Sequence, residues 1–176
     1  ALYEFLKLNP EARENILIRF VGTLDDITQH LIVSLRLEDV IEFVEYIPYQ
    51  QSIQYQAESD VLLVARSSAS GSELIIPAKL FEYLAIKKPI LALIPTGGAA
   101  ARIIRKTNSG IIVSPDDKDK ICEAISKLYS KFKNDDLVIN ADDSVLKTYE
   151  RKYLTGCLSK RLCRCPVPGD REICSG

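Results

Sequence analysis

Five short runs of this chain are almost wholly apolar, and helical patterns separate them. They are Ile16-Leu17-Ile18-Arg19-Phe20-Val21-Gly22, Val40 to Tyr46, Val61-Leu62-Leu63-Val64, Ile90-Leu91-Ala92-Leu93-Ile94 and Ile111-Ile112-Val113. Strands without polar alternation belong to sheets covered on both faces, which means parallel strands with helices packed above and below. Helices are expected at Asp25 to Leu37, about Gln50 to Glu58, Pro77 to Ile86, Gly98 to Thr107, and from Asp116 or Asp117 through Phe132. The last keeps helical spacing at Ile121, Ala124, Ile125, Leu128 and Phe132. The alternation predicts an α/β fold, with five strands in a Rossmann-like parallel layer joined by right-handed crossovers.

This rhythm covers residues 1–133, read as one Rossmann-like domain. Residues 134–162 form a helical C-terminal segment, with helix from about Ser144 to Leu162. Residues 163–176 carry Pro166, Pro168 and Gly169 and read as an unstructured or non-native tail.

With 176 residues, the chain is long enough for one sizeable core. Its net charge of −1 supplies no field to recruit nucleic acid. No apolar run reaches the roughly 18 to 20 residues that span a bilayer, and the start does not read as a signal peptide. The absence of methionine leads to the expectation that the sequence begins inside a longer protein. Cys122 sits in a helix, while Cys157, Cys163, Cys165 and Cys174 crowd the end without a C-x-x-C element. The body therefore reads as cytosolic and disulfide-free, and no metal site is expected. Basic residues from Lys147 to Arg164 read as a solubilising face, with weak attraction to anionic lipid at the inner membrane or docking on a further domain of the same protein as the functional alternative.

Ligands of open parallel sheets bind outside the carboxyl ends of the strands. Four loops fall there: after Gly22, after Tyr46, from Arg66 to Ile76, and Pro95-Thr96-Gly97-Gly98. The third leads into a helix near Pro77 with no capping side chain at Ile76. Its first amides and its dipole favour an anion there. Lys79 adds a mobile charge, and Glu82, on the same face, has the chemistry to accept hydrogen bonds from a ribose diol.

In order and spacing, these segments resemble the C-terminal half of the group 1 glycosyltransferases, retaining enzymes with a two-domain GT-B fold. The matching pieces are Phe20-Val21-Gly22; Val40-Ile41-Glu42-Phe43 with Tyr46-Ile47-Pro48-Tyr49; Glu58 to Leu63; Pro77 to Pro89; Ser109 to Val113; Cys122 to Leu128; and Tyr149 to Thr155. The resemblance implies a site for a nucleotide-diphosphate sugar and no separate cofactor. It places Glu82 on the ribose and Lys79 near the diphosphate, with Tyr46 and Ile47 contacting the base through their backbone. Gly71, Ser72 and Glu73 then lie at the donor sugar, Thr96, Gly97 and Gly98 on the adjoining rim, and Gly22 at the first strand's end.

Two departures stand out. The family's first glutamate falls at Leu74, one residue from Glu73. The family's first strand, its basic pair and the whole acceptor domain would lie before Ala1. The expectation is a bacterial glycosyltransferase of polysaccharide biosynthesis, cytoplasmic or peripheral to the inner membrane and inactive as this piece. A sugar would move to a glycan or lipid-linked acceptor. The alternative is a non-catalytic Rossmann-like module that binds nucleotide or protein. His30 reads as a packed or surface residue, Asp25, Asp26 and Asp60 as poor matches to a receiver domain, and Gly22 alone as no dinucleotide fingerprint.

Overall fold

The structure, a computed structural model, describes residues 1–138 and 141–162. The expectation of an unstructured tail at 163–176 lies outside the described residues. The chain forms two compact units, Ala1–Ala141 and Asp142–Gly176.

In the first unit, helix α1 (Leu2–Leu8) and a 3-10 turn at Pro10–Glu14 lead into β1 (Ile18–Val21). Then α2 (Asp26–Ser34), β2 (Ile41–Val44), α3 (Tyr49–Glu58), β3 (Leu62–Ala65), α4 (Lys79–Ile86), β4 (Ile90–Leu93), α5 (Ala99–Thr107), β5 (Gly110–Val113) and α6 (Lys118–Lys133) alternate. This is the α/β, Rossmann-like architecture the apolar runs predict. The observed strands are shorter than the apolar runs at several ends, because ladder pairing stops where the loops turn away.

Local chemistry explains the boundaries. Asp25 starts α2, its Oδ1 accepting the Thr28 N–H at 2.9 Å, and Asp117 does the same for Lys120 at the start of α6, at 3.0 Å. Helices α4 and α5 end on Lys87 (φ 60°) and Asn108 (φ 49°), whose left-handed backbone turns the chain into the next strand.

All five strands run parallel, but they form two ladders rather than one continuous layer: β1–β2 and β3–β4–β5. In β1, Ile18 and Gly22 donate to Val40 and Val44. In β3, Leu62 and Arg66 donate to Pro89 and Leu93. Ladder geometry therefore turns the amides of Arg19, Val21, Leu63 and Ala65 to the opposite edge. No strand among the described residues pairs with those edges.

Helix α6 ties the ladders together. Tyr129 packs edge-on against Phe5 of α1 at 5.7 Å, in a cluster with Leu6, Ile32, Leu37 and Val40. From the same helix, Ile121, Ala124 and Leu128 pack with Leu91 of β4 and Val113 of β5. Leu80, Ile90 and Ile104 are completely buried; each contributes about 1.5 to 3 kcal/mol by leaving water.

In the second unit, the expected helix is two: α7 (Asp143–Lys147) and α8 (Arg151–Leu162). Asp142 Oδ1 caps α7 by accepting the Ser144 N–H at 2.8 Å. Among the described residues, no helix is long and apolar enough to cross a membrane.

Candidate functional site

Each candidate loop leaves the carboxyl end of a strand. Gly22 closes β1 with φ 125°, and Tyr46 and Ile47 follow β2. Tyr46 is 87% exposed. The loop after β3 begins at Arg66 and turns at Gly71, whose φ of 86° suits glycine. It then makes a 3-10 turn at Ser72–Leu74. Loop Pro95–Gly98 follows β4 and enters α5.

Two clusters of functional groups result. In the first, Lys79 and Glu82 occupy the opening turn of α4, as the sequence spacing predicts. Lys79 is exposed, and its ammonium has no acceptor among the described residues. Glu82 is half-buried and held from α3: Oε1 accepts from Tyr49 Oη at 3.2 Å and Oε2 from Gln56 Nε2 at 3.4 Å. Tyr49 and Gln56 are seven residues apart, two helical turns, so they share a face of α3. Gln56 also donates to Ser52 Oγ at 3.4 Å, while its Oε1 is buried with no donor. Both donors to Glu82 are neutral, so the carboxylate is oriented without being paired to a cation. Each of its oxygens keeps lone-pair capacity for a further hydroxyl. The next residue, Tyr83, is packed inward with Oη 3.4 Å from the Leu63 carbonyl. Burial, and then the Glu82 charge, raise its phenol pKa above the ordinary 10.0.

The second is a shallow, mainly apolar cleft lined by Arg66, Ser72, Glu73, Ile75, Ile94, Pro95, Gly98 and Ala100. Gly98 lets its two loops meet: a Cβ there would lie 2.9 Å from the Glu73 carbonyl oxygen and 3.1 Å from that of Pro95. Ser72 is buried at 8% exposure, whereas the Glu73 side chain is exposed. The Ser68 hydroxyl donates to Asp116 Oδ2, fastening the loop to the connection between β5 and α6.

The structure thus brings Ser72, Glu73 and Gly98 to one cleft and places Glu82 with α3. Thr96 and Gly97 are exposed beside the cleft, while Gly22, Tyr46, Ile47 and Lys79 do not line it. Leu74 is 76% exposed and offers no polar group. Sequence reasoning missed Arg66, Tyr49 and Gln56. Arg66 carried a signal, since it directly follows an apolar strand at the ligand-binding edge. His30 lies on the surface, with its ring nitrogen 2.6 Å from the Asp26 carbonyl oxygen. No group of three metal-ligating side chains occurs among the described residues.

A model of the family described as Glycosyl transferases group 1 matches residues 1–142. Among solved structures, sucrose-phosphate synthase from Thermosynechococcus elongatus superposes with a TM-score of 0.62 at 16% sequence identity. The match covers 82% of this chain and 38% of that one, a likeness of fold to part of a longer protein. No curated protein matches the sequence.

Proposed function

This chain belongs to the group 1 glycosyl transferases, and from that premise we propose that it is the half of such an enzyme that binds the sugar donor. The donor is a nucleotide-diphosphate sugar, and the sugar passes to a glycan or lipid-linked acceptor held by another domain. Glu82 accepts hydrogen bonds from the ribose diol, and the backbone at Tyr46 and Ile47 borders the base. The observation that carries this reading is the Glu82 carboxylate, fixed by two neutral donors from α3 beside a strand's carboxyl edge. This half needs no general base. Its contribution is to hold the donor and to stabilise the charge that develops on the departing diphosphate with donors already in place.

The two ladders support the expectation of a missing first strand. A doubly wound sheet ordered 3-2-1-4-5-6 that lacks its first strand leaves a pair and a trio. In this chain these would be β2–β1 and β3–β4–β5, the pairing observed. On this reading the completing strand and the acceptor domain precede Ala1, and the piece alone does not transfer sugar.

A thermal-shift titration with uridine, guanosine and adenosine diphosphates tests the reading. One of them should raise Tm, and Glu82→Ala should abolish the shift. Exposed Leu74, where a second carboxylate is expected, favours the competing reading of a module that kept the scaffold and lost donor binding. No shift with any nucleotide in a chain extended by its missing strand would favour that module.

A further inference from the structure

We infer that α3 is a strap that positions Glu82, and that Tyr55, gripped by Arg19, is the positioning residue on which the strap depends. The inference rests on the donor-binding reading of Glu82 and extends it to side chains that never touch the carboxylate. The first observation is how little apolar burial holds the helix. Helices α1, α2, α4, α5 and α6 each bury at least one residue, whereas none of the ten residues of α3 is buried. Pro48, at its start, supplies no side-chain cap. A helix of this length is marginal in water without tertiary support, so α3 stays in place through the contacts of its half-buried side chains.

The second observation is where those contacts go. Toward the sheet, the Arg19 guanidinium lies over the Tyr55 ring, 4.6 Å from its centroid. Arg19 is the one charge in the apolar run Ile16 to Gly22, and a salt bridge to Glu42, its register partner on β2, fixes it there. A cation held over a ring draws the helix to the strand. Toward α4, Tyr49 and Gln56 donate to the two oxygens of Glu82. Tyr55 and Gln56 are consecutive, so they leave α3 about 100° apart and serve different neighbours. The helix is pinned to β1 on one side and to the carboxylate on the other.

The third observation is a cost built into the docked helix. Gln56 Oε1 is buried with no donor, while Nε2 is shared between Glu82 and Ser52. A buried amide oxygen without a partner opposes docking. The bonds to Glu82 and the Arg19–Tyr55 contact offset it. Docking of α3 and orientation of Glu82 are therefore one equilibrium. A ligand that takes Glu82 in its held orientation favours the docked helix, and loosening the helix weakens that ligand by the same factor. This gives the Arg19–Glu42 pair, charged in an otherwise apolar β1–β2 ladder, a use beyond joining two strands.

Hydrogen exchange at the helical amides of α3, Ser52 to Ser59, reads the strap in the whole chain without a ligand. Tyr55→Leu, which loses the ring, should speed that exchange about threefold and leave β4 and α5 unchanged. Tyr55→Phe, which keeps the ring, should match the wild type, and Arg19→Gln should behave as Tyr55→Leu does. Uridine, guanosine and adenosine diphosphates are then titrated by calorimetry. The one that binds should slow α3 exchange, bind Tyr55→Leu about threefold more weakly, and regain full affinity in Tyr55→Phe. Equal α3 exchange in Tyr55→Leu and wild type overturns the strap. Full nucleotide affinity in Tyr55→Leu, where Glu82→Ala abolishes binding, overturns the positioning role and leaves the donor reading intact. Faster α3 exchange in both Tyr55→Leu and Glu82→Ala, with no nucleotide bound by the wild type, keeps the strap and overturns the donor reading.

Discussion

Tyr49 and Glu82 join α3 to α4 through a 3.2 Å hydrogen bond from the phenol to Oε1 of the carboxylate. Gln56 holds the other oxygen from the same helix. The carboxylate's plane is thereby set from a neighbouring helix. A positioned acceptor binds a diol better than one that must first be ordered, because its rotamer entropy is already lost.

That relationship predicts the behaviour of Tyr49→Phe. The ring remains and only the hydroxyl is lost, so packing is preserved. A hydrogen bond to a charged group contributes roughly 1.5 to 3 kcal/mol when buried. The solvent exposure of this one reduces the expected cost to about 1 kcal/mol, or about fivefold in nucleotide affinity. Calorimetry on Tyr49→Phe, Glu82→Gln and the double variant checks it. The double variant should bind no worse than Glu82→Gln alone. Additive losses would mean that Tyr49 acts independently of Glu82.

Gly110 gives a stability prediction with a built-in control. A Cβ at Gly110 would sit 2.0 Å from the Ile90 carbonyl oxygen, which belongs to the backbone of β4 and cannot turn aside. Gly110→Ala should therefore cost about 3 kcal/mol or more by forcing β5 off its register. Gly97→Ala meets nothing within 4 Å and should stay within about 0.5 kcal/mol of wild type. Urea denaturation of both proteins measures the contrast, and similar midpoints would contradict the β4–β5 register.

The division into two ladders has a consequence for hydrogen exchange. Phe20 and Val64 turn their amides into their ladders, whereas Arg19, Val21, Leu63 and Ala65 turn theirs toward the open edges. Exchange at the second set should run at least about tenfold faster than at Phe20 and Val64 within the same strands. Alternating protection is the signature. Uniform protection along β1 and β3 would show that both edges are covered in solution.

Much of this arrangement was legible in the sequence, because burial on two faces writes itself as unbroken apolar runs. Ile90 to Leu93 and Leu62 to Ala65 announced themselves in that way. The Lys79–Glu82 spacing likewise fixed both residues in one turn of α4. The split between β1 and β3 was not legible, since an apolar run says that a strand is buried and says nothing of its neighbours. Tyr49 and Gln56 were also hidden. Their link to Glu82 spans 33 and 26 residues of chain, and only tertiary packing brings α3 against α4. Arg66 read as the first residue of a Ser- and Gly-rich loop.

Acid should loosen this chain through a small set of aspartates. The Arg13 guanidinium, bonded to Asp39, lowers that carboxyl below its ordinary 3.8. Asp117 is lowered by the Lys120 side chain and then its amide, Asp25 by the Thr28 amide and then its hydroxyl, and Asp142 by the Ser144 hydroxyl and then its amide. In each case the folded value lies beneath the unfolded one, so the unfolded chain takes up protons first as pH falls. The stabilisation is complete above the unfolded value and is lost as pH drops through the folded one. Tm should therefore be nearly flat with respect to these groups above about pH 5 and fall below about pH 4. Asp39→Asn should lower Tm at pH 6 and flatten the decline between pH 5 and pH 3, because the variant has already lost the ionised partner of Arg13. Parallel Tm profiles for the variant and the wild type would show that the Arg13–Asp39 pair contributes nothing to acid stability.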